Sequence, residues 1–230
     1  MPQPMKYADF NRRVMVSMED ICRDIFHKNR KTIKIKKEAV VIKNLVTIFQ
    51  ATLKLSNEKG FHAMSLRDLS RETKLSMGAL YSYFAGKDGL LEIIHEQGRA
   101  ITFRVLDEHV AKTGTAPERL ESAVRTHLYL SEVMRDWFFF AYMETRYFRK
   151  KEHKKAMAGE LYTEQLFSDI LEQGRAEGVF FLESPLLTAS AIKAMLQDWY
   201  LKRWKYRRRN ITIDTYADFI LSMVRRFIWP

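Results

Sequence analysis

Apolar side chains recur every three or four residues along most of this chain, which is the spacing of one face of an α-helix. The first predicted helix is short and amphipathic and runs from about Ser17 to His27. A longer helix begins at Lys87, and further helices are predicted over residues 37–59, 66–73, 77–84, 117–135, 154–178, 185–207 and 214–228. No segment shows the alternation of a half-buried strand, so the predicted fold class is all-α.

Residues with helix-capping chemistry stand at several of these boundaries. Ser65 and Ser76 are predicted to cap the helices that follow them, and Asp214 the last helix, because short polar side chains accept hydrogen bonds from the first free backbone N–H groups. Gly60 suits the position after a helix end, where φ is often positive. Pro117 suits the first helical position, where no backbone N–H is needed.

Two short helices separated by Lys74-Leu75-Ser76 predict a helix-turn-helix within residues 60–91. One side of this segment is apolar and is expected to pack on the preceding helix; it comprises Leu66, Leu69, Leu75, Leu80 and Phe84. The other side carries small and hydrogen-bonding residues that fit the major groove of DNA: Ser76, Met77, Gly78, Ala79, Tyr81 and Tyr83. Gly78 and Ala79 would let the helix backbone approach the bases closely.

Charge supports a polyanionic partner. The chain has 230 residues with 39 Lys or Arg against 28 Asp or Glu, a formal net charge of +11, and the positive excess per residue is larger in the first 100 residues. Such an excess favours contact with phosphates. The basic stretch 28–37 has two interpretations, a loosely docked arm with solvated charges or a flexible arm that touches DNA.

The segment resembles the DNA-binding domain of the tetracycline-repressor (TetR) family of bacterial regulators. The matching residues are Gly60-Phe61, residues 65–69, Leu75-Ser76, residues 78–84 and Lys87. Two positions depart from the family pattern. Lys74 stands where a turn glycine is usual, so that it must accept a positive φ or the turn must adjust. Ser70 stands where a tightly packed Ala is common.

The resemblance implies DNA contacts by position. Ser65 would contact phosphate, and Arg67 would reach phosphate or a base edge. Met77, Gly78 and Ala79 match the base-facing start of the recognition helix, with Ser76 at its cap. The residues that match the backbone-gripping positions are Tyr81, Tyr83 and Lys87. Since Met77, Gly78 and Ala79 offer no bidentate hydrogen-bonding side chain, base readout is expected to use thymine methyl contacts, Arg67 and DNA shape.

The resemblance also implies a domain plan. Residues 1–36 form an N-terminal extension, residues 37–86 a three-helix DNA-binding domain, and residues 87–230 a helical domain that binds an effector and dimerises. The last two helices would form the homodimer interface. Residues expected to be buried there include Leu187, Ile192, Leu196, Tyr216, Ile220 and Val224.

An aromatic-rich stretch suggests a place for the effector. Candidate ligand-binding residues are Phe138, Phe139, Tyr142, Met143 and Trp199, although such residues in a helical bundle are more often ordinary core. Weak overall similarity to the family's fatty-acyl-sensing branch suggests an acyl or aromatic effector. On that interpretation Arg146, Arg149 or the basic run 202–209 would meet phosphates; the alternative for 207–209 is solvent-exposed charge at a helix end.

No catalytic, metal-binding or cofactor-binding pattern is apparent. The six His are dispersed, and no Gly-rich phosphate loop or nucleophile elbow is present. Cys22 on the apolar side of the first helix is expected to be inert, and a single Cys suits a reducing, cytoplasmic setting. Neither a membrane span nor a membrane partner is predicted. The sequence therefore predicts a ligand-responsive repressor that binds a palindromic operator as a homodimer; the alternative is a DNA-binding regulator or architectural protein without an effector.

Overall fold

The computed structural model describes residues 5–14, 17–30, 33–110, 114–145, 148 and 150–229. Within these ranges the secondary structure is α-helical with no strand, which confirms the all-α prediction. The helices are α1 (Tyr7–Arg13), α2 (Met18–Lys28), α3 (Glu38–Lys59), α4 (Leu66–Thr73), α5 (Met77–Leu80), α6 (Lys87–Val110), α7 (Ala116–Val133), α8 (Arg135–Glu144), α9 (Lys150–Ala176), α10 (Pro185–Leu201), α11 (Arg203–Arg208) and α12 (Ile213–Ile228).

The chain packs into two compact units. The helix-turn-helix unit comprises residues 16–100 and 136–156, and the C-terminal unit comprises residues 1–15, 101–135 and 157–230. The N-terminal extension is thus divided, with α1 in the C-terminal unit and α2 in the helix-turn-helix unit. The three-part domain plan of 1–36, 37–86 and 87–230 stays a prediction.

The centre of the helix-turn-helix unit is α3, whose buried face includes Val41, Leu45, Ile48 and Phe49. The helix α2 packs on α3 through Ile21, Cys22, Ile25 and Phe26, all buried. Within the described ranges, α3 is the one helix long and apolar enough to match a membrane span, but half of its apolar window is buried, as in a core helix.

Local capping follows the sequence at several helix ends. The Ser65 hydroxyl accepts the N–H of Asp68 and the Ser17 hydroxyl that of Asp20, as helix-initiating Ser residues do. Gly60 ends α3 at φ 81°, as expected. The last helix differs, because Thr212 rather than Asp214 provides the cap by accepting the N–H of Thr215.

Several predicted boundaries were wrong. The helix α1 was not predicted, and the aromatic run lies in a separate helix, α8. The predicted helix 185–207 is interrupted at Lys202, whose φ of −123° and ψ of 34° end α10 before α11 begins. Pro117 occupies the second helical position, since Thr115 is the cap and α7 begins at Ala116.

Candidate nucleic-acid interface

The first part of the candidate interface is the start of α4, which is held by Asp68. Its carboxylate accepts the backbone N–H of Ser65 at 2.9 Å and pairs with Lys59 at 2.8 Å, and it also pairs with Arg71. These hydrogen bonds, that of Lys59 first, hold the pKa of Asp68 well below its usual range. Arg67, on the same helix, is exposed. The cap therefore fixes the backbone at Ser65 and Arg67, the two predicted contacts on α4.

The turn between α4 and α5 is built without glycine. Lys74 adopts φ 58° and ψ 19°, so the departure noted in the sequence is met by a left-handed Lys. The Ser70 hydroxyl donates to the carbonyl of Leu75 at 2.6 Å, and the Thr73 hydroxyl donates to that of Leu69 at 2.7 Å. The Ser70 bond spans the turn, which gives Ser70 a function that Ala could not supply, and the Thr73 bond lies within the last turn of α4.

The recognition helix α5 is shorter than predicted. It covers Met77–Leu80, and the chain then tightens, with the N–H of Ser82 bonded to Ala79 and that of Tyr83 bonded to Leu80. These bonds to the third preceding residue are typical of a 3₁₀ turn, which often ends a helix. The predicted extent of 77–84 was therefore wrong for the α-helix.

The exposed side of α5 is centred on residues with small side chains. Gly78 is exposed, and a Cβ placed on it would meet only the Ser76 hydroxyl, at 4.0 Å. Met77 and Ala79 are half-buried, and Ser76 caps the helix by accepting the N–H of Ala79 at 3.1 Å. Tyr81, just beyond the helix, has 46% of its surface exposed. The backbone of α5 is therefore accessible at Gly78, and the hydroxyl groups of Ser76 and Tyr81 flank it in the sequence.

Tyr83 is placed differently from Tyr81. Its side chain is only 1% exposed, and its hydroxyl accepts a hydrogen bond from the Asn44 amide at 2.7 Å. The ring therefore packs inside the unit, and a contact between Tyr83 and phosphate stays a prediction that rests on the hydroxyl alone. Sequence reasoning missed Asn44, which lies in the core helix α3 and whose role depends on a contact 39 positions away.

Lys87 begins α6 with its ammonium group already oriented. The group donates to the carbonyl of His62 at 2.7 Å and lies 4.8 Å from the centre of the Phe61 ring. Partial burial lowers the pKa of Lys87 from its ordinary value. An ammonium has three N–H donors, so two remain for other acceptors after the bond to His62.

The predicted ligand-binding residues are not brought together within one unit. Four of them lie on α8 in the helix-turn-helix unit, where Tyr142 is exposed and Phe138, Phe139 and Met143 are half-buried. The fifth, Trp199, lies in the C-terminal unit. Arg146 and Arg149 lie outside the described residues.

Trp199 is enclosed by neighbouring side chains of its own unit. Its ring stacks with Tyr206 at 5.0 Å and Tyr216 at 5.1 Å, and the Arg203 guanidinium lies 4.5 Å from the ring centre. The indole N–H donates to Glu132 at 2.8 Å. Trp199 is thus fully buried and its indole N–H has a partner, as in ordinary core.

The predicted dimer residues also divide. Leu187 is 71% exposed, but the other five are buried within the protomer itself: Ile192, Leu196, Tyr216, Ile220 and Val224. The expectation that these five are buried in a dimer interface was wrong, because they face the protomer core. Large apolar residues that stay exposed on α10 and α12 are Leu186, Leu187, Phe219, Met223 and Phe227. The spacing of the last three, every fourth residue, was the signal that sequence reasoning missed.

An exposed helix that follows a helix-turn-helix turn defines a DNA-binding class of protein. Residues 48–94 match the bacterial regulatory proteins of the tetR family, and residues 113–226 match the tetracyclin repressor-like C-terminal domain. The chain belongs to the TetR family of transcriptional regulators.

Individual relatives agree with this assignment. The HTH-type transcriptional regulator HbdR of Aromatoleum sp. (strain CIB) is 24% identical over 181 residues, which are 79% of each chain. AibR, solved with isovaleryl coenzyme A and operator DNA, has a TM-score of 0.69 at 18% identity, over 76% of this chain and 95% of that chain. FadR from Bacillus subtilis, solved with stearoyl-CoA, has a TM-score of 0.62 at 17% identity, over 77% and 96%. The two structures establish similarity of fold.

Proposed function

We propose that this regulator is a repressor that binds a palindromic operator as a homodimer and is released by a hydrophobic effector. The observation that carries the proposal is the open backbone at Gly78, next to exposed Tyr81, on a helix that no described residue of its unit covers at that point. Bases would be read by Met77, Gly78 and Ala79. Phosphates would be held by Ser65, Arg67, Tyr81 and Lys87, with the Tyr83 hydroxyl behind them.

Phosphate contacts strengthen binding to every sequence, whereas base contacts separate one sequence from another. Tyr81→Ala and Lys87→Ala are therefore expected to weaken binding to operator and random DNA alike. Lys87→Ala should also reduce the slope of log affinity against log salt by about 1, whereas Tyr81→Ala removes an uncharged hydroxyl and should leave the slope close to that of wild type. Unchanged affinity in both variants would remove these two residues from the interface.

The homodimer is proposed to form through the exposed apolar residues of α10 and α12. On α12 three of them, Phe219, Met223 and Phe227, are spaced by four residues and share one face of the helix. A soluble monomer rarely leaves an apolar face of this kind uncovered. A second copy related by a two-fold axis would cover the same patch on both chains. Two recognition helices would then lie about 34–36 Å apart, one turn of DNA, and would read the two halves of a palindrome.

The effector is proposed to be a molecule with a fatty acyl or aromatic group. Support comes from AibR and FadR, which share the fold and were solved with acyl-coenzyme A ligands. A ligand that binds better to the conformation with a poor operator fit would shift the population towards it and weaken DNA binding. By linkage, operator DNA would weaken effector binding by the same factor. Such a regulator would act in the cytoplasm, with no enzymatic step, metal or cofactor.

The packing of Trp199 favours a second candidate, a DNA-binding regulator without an effector. Its ring packs against Tyr206, Tyr216 and Arg203, and the other aromatic candidates lie in a different unit. Under this alternative, the aromatic residues serve only as core.

Selection of bound fragments from the source genome tests both candidates. A palindromic winner bound by two protomers, with affinity that falls steeply with salt, is expected if the protein is an operator-binding regulator. Acyl-CoA titration into that complex then separates the candidates: saturable release supports the repressor, and no release at saturating ligand supports the effector-free regulator. Binding that is indifferent to sequence would contradict the operator proposal.

A further inference from the structure

A segment that precedes the core helix lies directly beside the recognition helix. The N–H of Lys34 donates to the carbonyl of Ser82 at 3.1 Å, and Ser82 in turn donates its hydroxyl to the carbonyl of Gly78 at 3.1 Å. Gly78 lies on the proposed base-reading surface. Residues 33–37, here called the basic segment, are therefore connected to that surface through two hydrogen bonds.

The basic segment is anchored at both ends. Ile33 is buried, with 4% of its surface exposed, and its N–H donates to the carbonyl of Asn29 at the end of α2. Lys37 is the N-cap of α3, and its carbonyl accepts the N–H of Val41 at 3.1 Å. Because α2 itself packs on α3, the segment is held against the unit rather than left as a free tail.

Its three lysines are exposed and have no oppositely charged partner in the part of the unit that the structure describes. Lys34, Lys36 and Lys37 are all exposed, and none pairs with a carboxylate among the described residues. The carboxylate that follows them, Glu38, faces α2, where it lies 3.8 Å from Arg23 and 3.5 Å from His27. The segment therefore presents a positive charge that no described carboxylate of its unit pairs with.

The dimensions of the segment suit a nucleic-acid backbone. An extended chain covers at most about 3.3–3.6 Å per residue, so Lys34 and Lys37 are separated by up to about 10 Å. One DNA strand carries a phosphate for roughly each 3.4 Å of helix axis. Three cations over that length can contact consecutive phosphates of one strand, while the adjacent recognition helix would lie in the groove.

We propose that Lys34, Lys36 and Lys37 form a second DNA-binding element, which binds phosphates immediately outside the bases faced by α5. The inference rests on the proposed operator binding and goes beyond it, because it extends the binding site to flanking DNA and gives part of the N-terminal extension a role. The element adds affinity without base preference and lengthens the footprint on each half-site.

A charge-matched pair of variants tests the proposal. Lys34→Ala/Lys36→Ala/Lys37→Ala removes the three cations, and Arg207→Ala/Arg208→Ala/Arg209→Ala removes three exposed cations from the C-terminal unit. We expect the lysine variant to bind the operator at least about tenfold more weakly at 50–200 mM salt, with a slope of log affinity against log salt reduced by about 2–3. The arginine variant should stay within about twofold of the wild-type affinity, because its lost charges belong to the unit that does not carry the recognition helix.

The length of the DNA locates the contacts. Wild-type protein should lose affinity when the flanks of the operator are trimmed to the palindrome, and the lysine variant should not, since it has already lost those contacts. Equal losses for wild type and variant on trimming would overturn the flanking position, and a lysine variant that matches the arginine variant would overturn the element itself. Lys34→Gln/Lys36→Gln/Lys37→Gln repeats the test with longer side chains, and thermal unfolding verifies the fold of each variant.

Measurements on the wild-type protein distinguish failure of this proposal from failure of the operator binding on which it rests. Selective binding of wild type to a palindrome, together with an unaffected lysine variant, contradicts only the second element. Absence of selective binding by wild type contradicts operator recognition itself and the extended footprint that depends on it.

Discussion

At the scale of single residues, a substitution at Gly78 is expected to change DNA binding without lowering stability. Its open surroundings impose no steric need for glycine on the protomer, and an interior helical glycine is less stable than a residue with a side chain. We expect Gly78→Leu to fold with a free energy of unfolding equal to or above that of wild type. Its affinity for the operator should fall at least about tenfold, because the side chain would occupy the space of the bases.

The control for this variant is a substitution of the same size at an exposed helical position. Ala158→Leu on α9 meets that need and should leave operator affinity unchanged. Fluorescence anisotropy with labelled operator and chemical unfolding of each variant provide the two readouts. Operator binding by Gly78→Leu at wild-type strength would show that α5 does not approach the bases closely.

His95 provides a prediction on pH at the same scale. Its ring lies against Phe140 and Phe148, its Nε2 has no hydrogen-bond partner among the described residues, and burial lowers its pKa from 6.5 to about 3. Between these values the unfolded chain binds the proton and the folded unit does not. The free energy of unfolding therefore falls as pH decreases from 6.5 towards 3, by about 1.4 kcal/mol per pH unit for this group.

Chemical unfolding at pH 7, 6 and 5 measures this slope. His95→Leu removes the titrating group and should make the slope shallower by the His95 contribution. Burial also lowers the pKa of His127, so part of the slope should persist in the variant. The assignment fails if His95→Leu and wild type lose stability in parallel.

At the scale of elements, α1 shows how a short N-terminal helix depends on distant residues. Phe10 is fully buried, 5.6 Å from the rings of both Tyr129 and His109. The first N–H of the helix, that of Tyr7, donates to the Asp214 carboxylate at 3.0 Å. These contacts join α1 to α7 and α12 in the C-terminal unit.

Phe10→Ala is therefore expected to destabilise the C-terminal unit by about 3 kcal/mol, the low end for a buried Phe. Arg12→Ala on the same helix removes only an exposed ion pair with Asp9 and should cost less than about 1 kcal/mol. Urea unfolding followed by near-ultraviolet circular dichroism compares the two. Equal stability of both variants would mean that α1 does not contribute to the fold of that unit.

Sequence periodicity predicted the elements whose stability is local. The apolar face of α3 and the Ser65 cap follow from neighbouring residues, and the structure confirms both. The resemblance left two outcomes for Lys74, a positive φ or an adjusted turn, and the structure shows the positive φ. Periodicity did not predict α1, whose seven residues carry one buried anchor and whose backbone bond runs to Asp214, 207 positions away. The shortening of α5 was also invisible, since a 3₁₀ turn retains a helical spacing over so few residues.

In the candidate site, too, features set by local sequence were predicted and features set by distant contacts were not. Ser76, Gly78 and Tyr81 are exposed as expected, because each follows from its place in a short local motif. The inward position of Tyr83 depends on Asn44 of another helix. Periodicity cannot tell which of two apolar faces of one helix meets the protomer core, so it assigned Ile220 and Val224 of α12 to the wrong surface.

At the scale of the whole molecule, the second apolar face of α12 carries the proposed dimer interface. Phe219 and Phe227 are 61% and 67% exposed, whereas Ile220 and Val224 on the same helix are buried in the protomer. A helix that is apolar on two faces is expected to bury the second face against another molecule. Phe219→Asp/Phe227→Asp should therefore yield a monomer, because a charge buried in an interface is strongly unfavourable.

Sedimentation velocity at micromolar concentration measures the change, with Leu161→Asp as the control. Leu161 is similarly exposed at 59% but lies on α9, outside the two helices of the proposed interface, and its variant should remain a dimer. The monomeric variant keeps its recognition helix, so it should still bind a single half-site weakly. It should lose the affinity that a dimer gains from linking two recognition helices, because in a dimer the second helix binds at a high effective concentration once the first is bound. A Phe219→Asp/Phe227→Asp protein that stays dimeric would place the interface on another surface, whereas a monomer with full operator affinity would show that the operator is not read by a dimer.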